Sequence, residues 1–340
     1  QARQRLTNLQ ANLGALHHRR GDFAAARSAM LGALDQAQAD LGPQHPYIGT
    51  LHNNLARASF NLGALHAARD HADQALAVDR LVLDANHPNL AQSLMLSGQI
   101  NLALGDPAQA ESALIESQRI VEQALGREHR FFYMLSVELG RLALLQGDGA
   151  SAVGHFERAI ETRQVRPDYR LSVEDLAFRR YRAMALRQIG QLDQAGLQAE
   201  QALELAGQID DPRGEKPMLI LLLAQLAGDR GDPIAARRYL SEAEAAAGCS
   251  NEAPCPTLDS PQALLFRALV LAGSGEIEAA FNTLDFAIDQ PKWFPQMLSL
   301  ADLETLNDHP LWSAAVTRLN KRIADDQHVL AVNKNSSGLL

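Results

Sequence analysis

At 340 residues, 46% hydrophobic and 21% charged, the chain has enough apolar content for a large core, which excludes a wholly disordered polypeptide. Aromatics make up only 5% while alanine occurs 56 times, a balance that favours helix over sheet, because strands draw on β-branched and aromatic side chains. A net charge of −9 lacks the surplus of Lys and Arg that a nucleic-acid binder needs, and the longest apolar stretch, residues 217–227, is too short for a bilayer span of about 20 residues.

Along the chain one unit recurs. Gly21, Gly63, Gly105 and Gly147 stand 42 residues apart, and Gly190, Gly231 and Gly275 continue with steps of 43, 41 and 44. Five residues after each comes an alanine: Ala26, Ala68, Ala110, Ala152, Ala195, Ala236 and Ala280. Each Gly separates two Ala/Leu-rich stretches that read as helices. The Gly closes the first helix in a left-handed conformation, and Asp22, Asp106, Asp148 or Asp232 caps the second. Leu13, Leu55, Leu139 and Leu223 precede their glycines by eight residues. Small residues fall seven before the Gly (Gly14, Ala56, Gly98, Gly140, Ala183, Ala224, Ala268) and twelve after it (Ala33, Ala75, Ser117, Ala159, Ala202, Ala243, Ala287), where paired helices come close. Helix pairs are predicted at 4–39, 47–82, 88–125, 130–165, 172–207, 215–247 and 260–290.

Each pair can bury its apolar face only against its neighbours, so the expected fold is all-α, a right-handed superhelical solenoid of about seven helix pairs over residues 1–290. Past residue 290 the pattern ends. Residues 291–326, from Trp293 and Phe294 to a last helix with Leu311, Ala315 and Leu319 on one face, read as a C-terminal helical cap, and 327–340 as a flexible tail. With Gln rather than Met at residue 1 and no signal peptide, the chain reads as a piece of a longer protein.

Chemistry-bearing motifs are missing: the chain has no phosphate-binding glycine loop, no nucleophile elbow and no His-Glu-x-x-His pair. The expectation is a non-enzymatic fragment with no cofactor and no metal. His45, His87 and His129 repeat at 42 residues and so read as a structural device of equivalent turns. Cys249 and Cys255 share one Pro-rich loop, 248–261, and read either as a loop disulfide, which implies an oxidising compartment, or as two thiols of a cytosolic protein. The pair tilts the expected location toward the periplasm or exterior, with the cytoplasm as alternative.

The repeat resembles the tetratricopeptide repeat over residues 4–290. Its 42-residue stride is similar to the kinesin light chain subtype, through Leu41-Gly42-Pro43-Gln44-His45-Pro46, Asn86-His87-Pro88, Leu125-Gly126-Arg127-Glu128-His129 and the helix core Leu51-His52-Asn53-Asn54-Leu55-Ala56. It also resembles the C-terminal arrays of bacterial serine/threonine kinases. The resemblance implies a concave groove lined by the first helix of each pair. Carried over, its positions are Asn8, Asn12 and His18, then Asn53, Asn54 and Arg57, then Gln92 and Gln99, then Glu138 and Arg141. Further along they are Tyr181, Met184, Arg187, Leu222, Phe266 and Leu269, so the groove is expected to be polar at one end and apolar at the other. The expected partner is a protein or peptide segment in that groove, without nucleic acid and without a membrane span in this chain. The expected role is the sensory or regulatory region of a larger bacterial signalling protein. The alternatives are the sensor domain of a transmembrane serine/threonine kinase, or a self-associating scaffold; Trp293, Phe294 and Trp312 read as sealing the last repeat, with a homodimer contact as the alternative.

Overall fold

A computed structural model describes residues 2–211, 214–248, 258, 261–288, 310, 313, 314, 317, 318 and 321. Among the described residues there are fourteen α-helices and no strand. They fall into two compact units, residues 1–142 and 143–340. Cys249 and Cys255 lie outside the described residues, as do most of their loop, almost all of the cap and the whole tail.

The first unit holds α1 (Ala2–Arg19), α2 (Phe23–Leu41), α3 (Pro46–Asn61), α4 (Leu65–Val82), α5 (Pro88–Leu104), α6 (Pro107–Ala124) and most of α7 (Arg130–Leu145). Helices pair as α1 with α2, α3 with α4 and α5 with α6, and successive pairs stack through α2 on α3 and α4 on α5. The turn inside each pair is built as its residues require. Gly21, Gly63 and Gly105 take φ of 80°, 77° and 76°, a region closed to most L-residues. Asp22 and Asp106 then accept from the backbone N–H of Ala25 and Gln109 at 3.2 and 3.1 Å.

Between pairs the histidines act as caps. The Nδ1 atoms of His45, His87 and His129 accept from the backbone N–H of Tyr47, Asn89 and Phe131 at 3.2, 3.1 and 3.2 Å. Pro46 and Pro88 follow at the first helical position, where no N–H is needed.

Ala26, Ala68 and Ala110 are completely buried. Around them the helices of a pair approach so closely that glycine faces the contact. A Cβ on Gly14 would meet Met30 Cγ at 2.7 Å, and one on Gly98 would meet Leu114 Cγ at 2.6 Å. Leu55 and Leu139 are buried as the repeat predicts, but Leu13 is 48% exposed. The reason is positional: α3 has α2 packed on it from the preceding pair, and α1 has no such neighbour among the described residues.

The second unit holds α8 (Gly149–Gln164), α9 (Val173–Gln188), α10 (Leu192–Ala206), α11 (Glu215–Asp229), α12 (Pro233–Ala246), α13 (Pro261–Gly273) and α14 (Ile277–Ile288). The same grammar applies. Gly147, Gly190, Gly231 and Gly275 have φ between 74° and 83°. Asp148 and Asp232 cap α8 and α12, and Ala152, Ala195, Ala236 and Ala280 are buried. Ser172 and Asp175 form a reciprocal capping box at the start of α9. The apolar run of α11 is buried from Pro217 to Ala227, packed among α9, α10, α12 and α13. No helix of the described residues is long and apolar enough to cross a membrane.

Candidate functional site

In the first unit the candidate surface is built from the first helices, where positions nine and six residues before the Gly share a face. On α1, Asn12 is exposed, while the side chain of Asn8 lies outside the described residues. On α3, Asn54 and Arg57 are half-buried. His18 and Asn61 tie α1 to α3, with Nε2 and Nδ2 3.0 Å apart. Burial, and secondarily the charge of Arg57, hold the His18 imidazole below its ordinary pKa. Burial also lowers the pKa of the Arg57 guanidinium, which nonetheless remains cationic. Among the described residues no carboxylate pairs with Arg57.

The neighbouring candidates are already engaged. Glu138, 8% exposed on α7, accepts from Gln99 Nε2 at 2.9 Å and from Arg141 Nη1 at 2.8 Å, so the Arg141 charge is met within the unit. Asn53 points into a seam: its Nδ2 donates to Ser93 Oγ, and Ser93 donates to Asp79 Oδ2 at 2.5 Å. Gln92 is exposed. What stays available is a set of amides, Asn12, Asn54 and Gln92, on α1, α3 and α5, with one half-buried cation, Arg57, on α3. Amides donate and accept at once, which suits the backbone of an extended chain, and a guanidinium suits a carboxylate.

In the second unit the candidates are largely consumed by packing. Leu222 and Phe266 are core residues, with Met184 and Leu269 packed beside them. The ring of Tyr181 stacks on Phe156 at 5.6 Å and lies under the Arg180 guanidinium at 4.6 Å. Arg180, 3% exposed, pairs with Glu215 at 2.8 Å. Arg187 pairs with Asp229 at 2.5 and 3.1 Å, and the buried Gln225 amide, turned with its oxygen toward the guanidinium, accepts from it at 3.1 Å. At the expected apolar end of the groove Leu222 and Phe266 are therefore core, Tyr181, Met184 and Leu269 are half-buried against their neighbours, and Arg180 and Arg187 bridge α9 to α11.

Sequence reasoning missed the buried polar couple Asp79–Ser93 and the part-buried His52–His71, as well as Arg180–Glu215. Among the described residues no three His, Cys, Asp or Glu side chains gather as a metal site.

The tetratricopeptide repeat family model matches residues 5–80 and 47–123, the stretch whose turns and close alanines are described above. That stretch, residues 5–123, is a run of tetratricopeptide repeats. Solved structures agree in fold. BtubC from P. vanneervenii is 19% identical, with 62% of this chain and 85% of that one covered and a TM-score of 0.54. A tetratricopeptide repeat protein from Parabacteroides merdae is 15% identical, with coverages of 89% and 98% and a TM-score of 0.58. The Rap conjugation gene regulator of plasmid pLS20, solved with the Phr* peptide, is 14% identical, with coverages of 88% and 76% and a TM-score of 0.61. At these identities the likeness is one of tetratricopeptide fold alone. No curated protein matches the chain.

Proposed function

We propose that this tetratricopeptide array is a non-catalytic docking module that binds an extended protein or peptide segment through the first-helix face of its first unit. The observation that carries this reading is Arg57, a half-buried cation with no carboxylate partner among the described residues, flanked on α3 and its neighbours by open amides. Leaving a charge half-desolvated is unfavourable unless something meets it. The segment's backbone would lie along Asn12, Asn54 and Gln92, with an acidic group on Arg57. A Rap protein of similar fold, solved with a peptide, supports the same use of the architecture.

The test is selection from a random peptide display library, followed by affinity measurements on the selected peptide. Arg57→Ala is expected to weaken binding roughly tenfold or more, as for a lost hydrogen bond to a charged group. Asn54→Ala should weaken it less, and Arg187→Ala should leave it unchanged. Binding indifferent to Arg57→Ala and Asn54→Ala would overturn the assignment.

The 42-residue stride, shared with arrays attached to signalling enzymes, supports a sensory or regulatory role inside a larger bacterial signalling protein, with a serine/threonine kinase as the specific alternative. Phosphoryl transfer by the complete polypeptide would establish the kinase version, and another catalytic domain in its place would remove it.

A further inference from the structure

We infer that the open face of α1, formed by Leu9, Leu13 and Leu16, seats the second helix of one more helical hairpin of this kind, carried directly ahead of α1 in the same polypeptide. The three leucines lie at i, i+4 and i+7, one stripe of a helix, and are 65%, 48% and 36% exposed. In every later pair of the first unit the equivalent positions are closed. Forty-two residues on stand Leu51, Leu55 and Ala58, each 0% exposed. The next set is Ser93, Ser97 and Ile100, and the last is Leu135, Leu139 and Leu142, all of them buried.

What closes them is also visible. Met30, Ala33, Leu34 and Ala37 of α2 form one cluster with Leu51 and Leu55 of α3, and Leu114, Ile120 and Val121 of α6 join Leu135 and Leu139 of α7. In each case the covering helix directly precedes the covered one, across the short connections 42–45 and 125–129. The α1 face thus continues an interface built twice in the same unit, and that interface takes an Ala/Leu-striped helix from the same chain. A second copy fits less well. Three partly exposed leucines fall well below the about 800 Å² per partner that a stable dimer needs, whereas a tethered helix needs no such area.

The double variant Leu9→Ser/Leu13→Ser tests this in two settings. In the 340-residue chain it is expected to lower the thermal midpoint only slightly, since much of the leucine surface faces water there. In the polypeptide extended by its own preceding residues it should lower the midpoint by several degrees. Amides 9–16 should also exchange roughly tenfold or more slowly in the extended wild type than in the shorter chain. The encoded residues ahead should carry a Gly 42 positions before Gly21 and small apolar residues 42 before Ala33 and Ala37. Equal midpoints and equal exchange in the extended forms would overturn the inference. So would a dimer of the 340-residue chain that the double variant dissolves, which would assign the face to a second copy.

Discussion

Ser93 donates a hydrogen bond of 2.5 Å to Asp79 across the seam between α5 and α4, and both side chains stand where other repeats hold apolar ones. Asp79 occupies the position of Ala37 and Val121, and Ser93 that of Leu51 and Leu135. The room for the carboxylate comes from Gly49, where a Cβ would meet Asp79 Oδ1 at 2.8 Å. Burial pushes the Asp79 carboxyl up, while the hydrogen bond from Ser93, the charge of His87 and the hydrogen bond from Asn53 act against that rise. Removing the Ser93 donor leaves the buried carboxylate one hydrogen bond short, so Ser93→Leu is expected to cost about 1.5–3 kcal/mol. Adding Asp79→Val restores the apolar pairing of the other repeats and should recover most of the loss, leaving the unmet Asn53 amide. Urea unfolding of the two singles and the double decides it: additive losses would show that the two residues are not coupled.

A second couple sets an acid limit on the first unit. His52 on α3 and His71 on α4 face each other with Nδ1 atoms 3.2 Å apart, and His52 is 7% exposed. One ring must donate and the other accept, so both cannot be protonated. Burial first, and the charge of His71 second, hold His52 at about 4 against 6.5 for a free histidine. His71 is lowered by burial and by Arg27 of α2, with Asp70 opposing. The folded state therefore binds its proton later than the unfolded chain does. Stability is full above pH 6.5 and falls as pH drops toward 4, by about 3 kcal/mol from His52 alone. Urea midpoints at neutral pH and near pH 4.5 should differ in the native chain and differ much less in His52→Gln. An unchanged pH slope in that variant would remove the histidine pair as the cause.

The capping histidines give a sharper local expectation. Because His87 Nδ1 accepts from Asn89 N–H at 3.1 Å, His87→Ala should destabilise by about 1 kcal/mol, and His87→Asn, which restores a side-chain acceptor, by much less. Equal losses for Ala and Asn would mean that the imidazole contributes packing rather than the cap.

The repeat glycines, the close alanines and the capping aspartates were legible from sequence because each answers a backbone demand: a positive φ, a near contact, a free N–H. The helix boundaries followed from them. The polar couples were less legible because they join different repeats, and their signal appears only when repeats are aligned. Like Asp79 and Ser93, Arg163 and Asp175 replace apolar pairs, Ala37 with Ile48 and Val121 with Phe132, and they meet at 3.0 Å. The candidate surface was legible only in part. An inward position identifies which side chain faces the groove, but whether it is free depends on a carboxylate elsewhere. Glu138 takes up Arg141 and Asp229 takes up Arg187, while Arg57 has no such neighbour among the described residues.

Two helical glycines separate close packing from mere permissiveness. At Gly98 an added methyl would press on Leu114 Cγ at 2.6 Å and Cδ2 at 2.7 Å, inside the α5–α6 contact. Overpacking of this kind costs about 1–3 kcal/mol, enough to cancel or exceed the about 1 kcal/mol that Ala gains over Gly in a helix. At Gly154, within α8, the methyl would meet nothing within 4 Å, so only the backbone gain of about 0.4–1 kcal/mol remains. Gly98→Ala should therefore lower the thermal midpoint or at best leave it, whereas Gly154→Ala should raise it. A clear rise for both would mean that the α5–α6 contact relaxes around the methyl, and that glycine there is not required by the approach of the two helices.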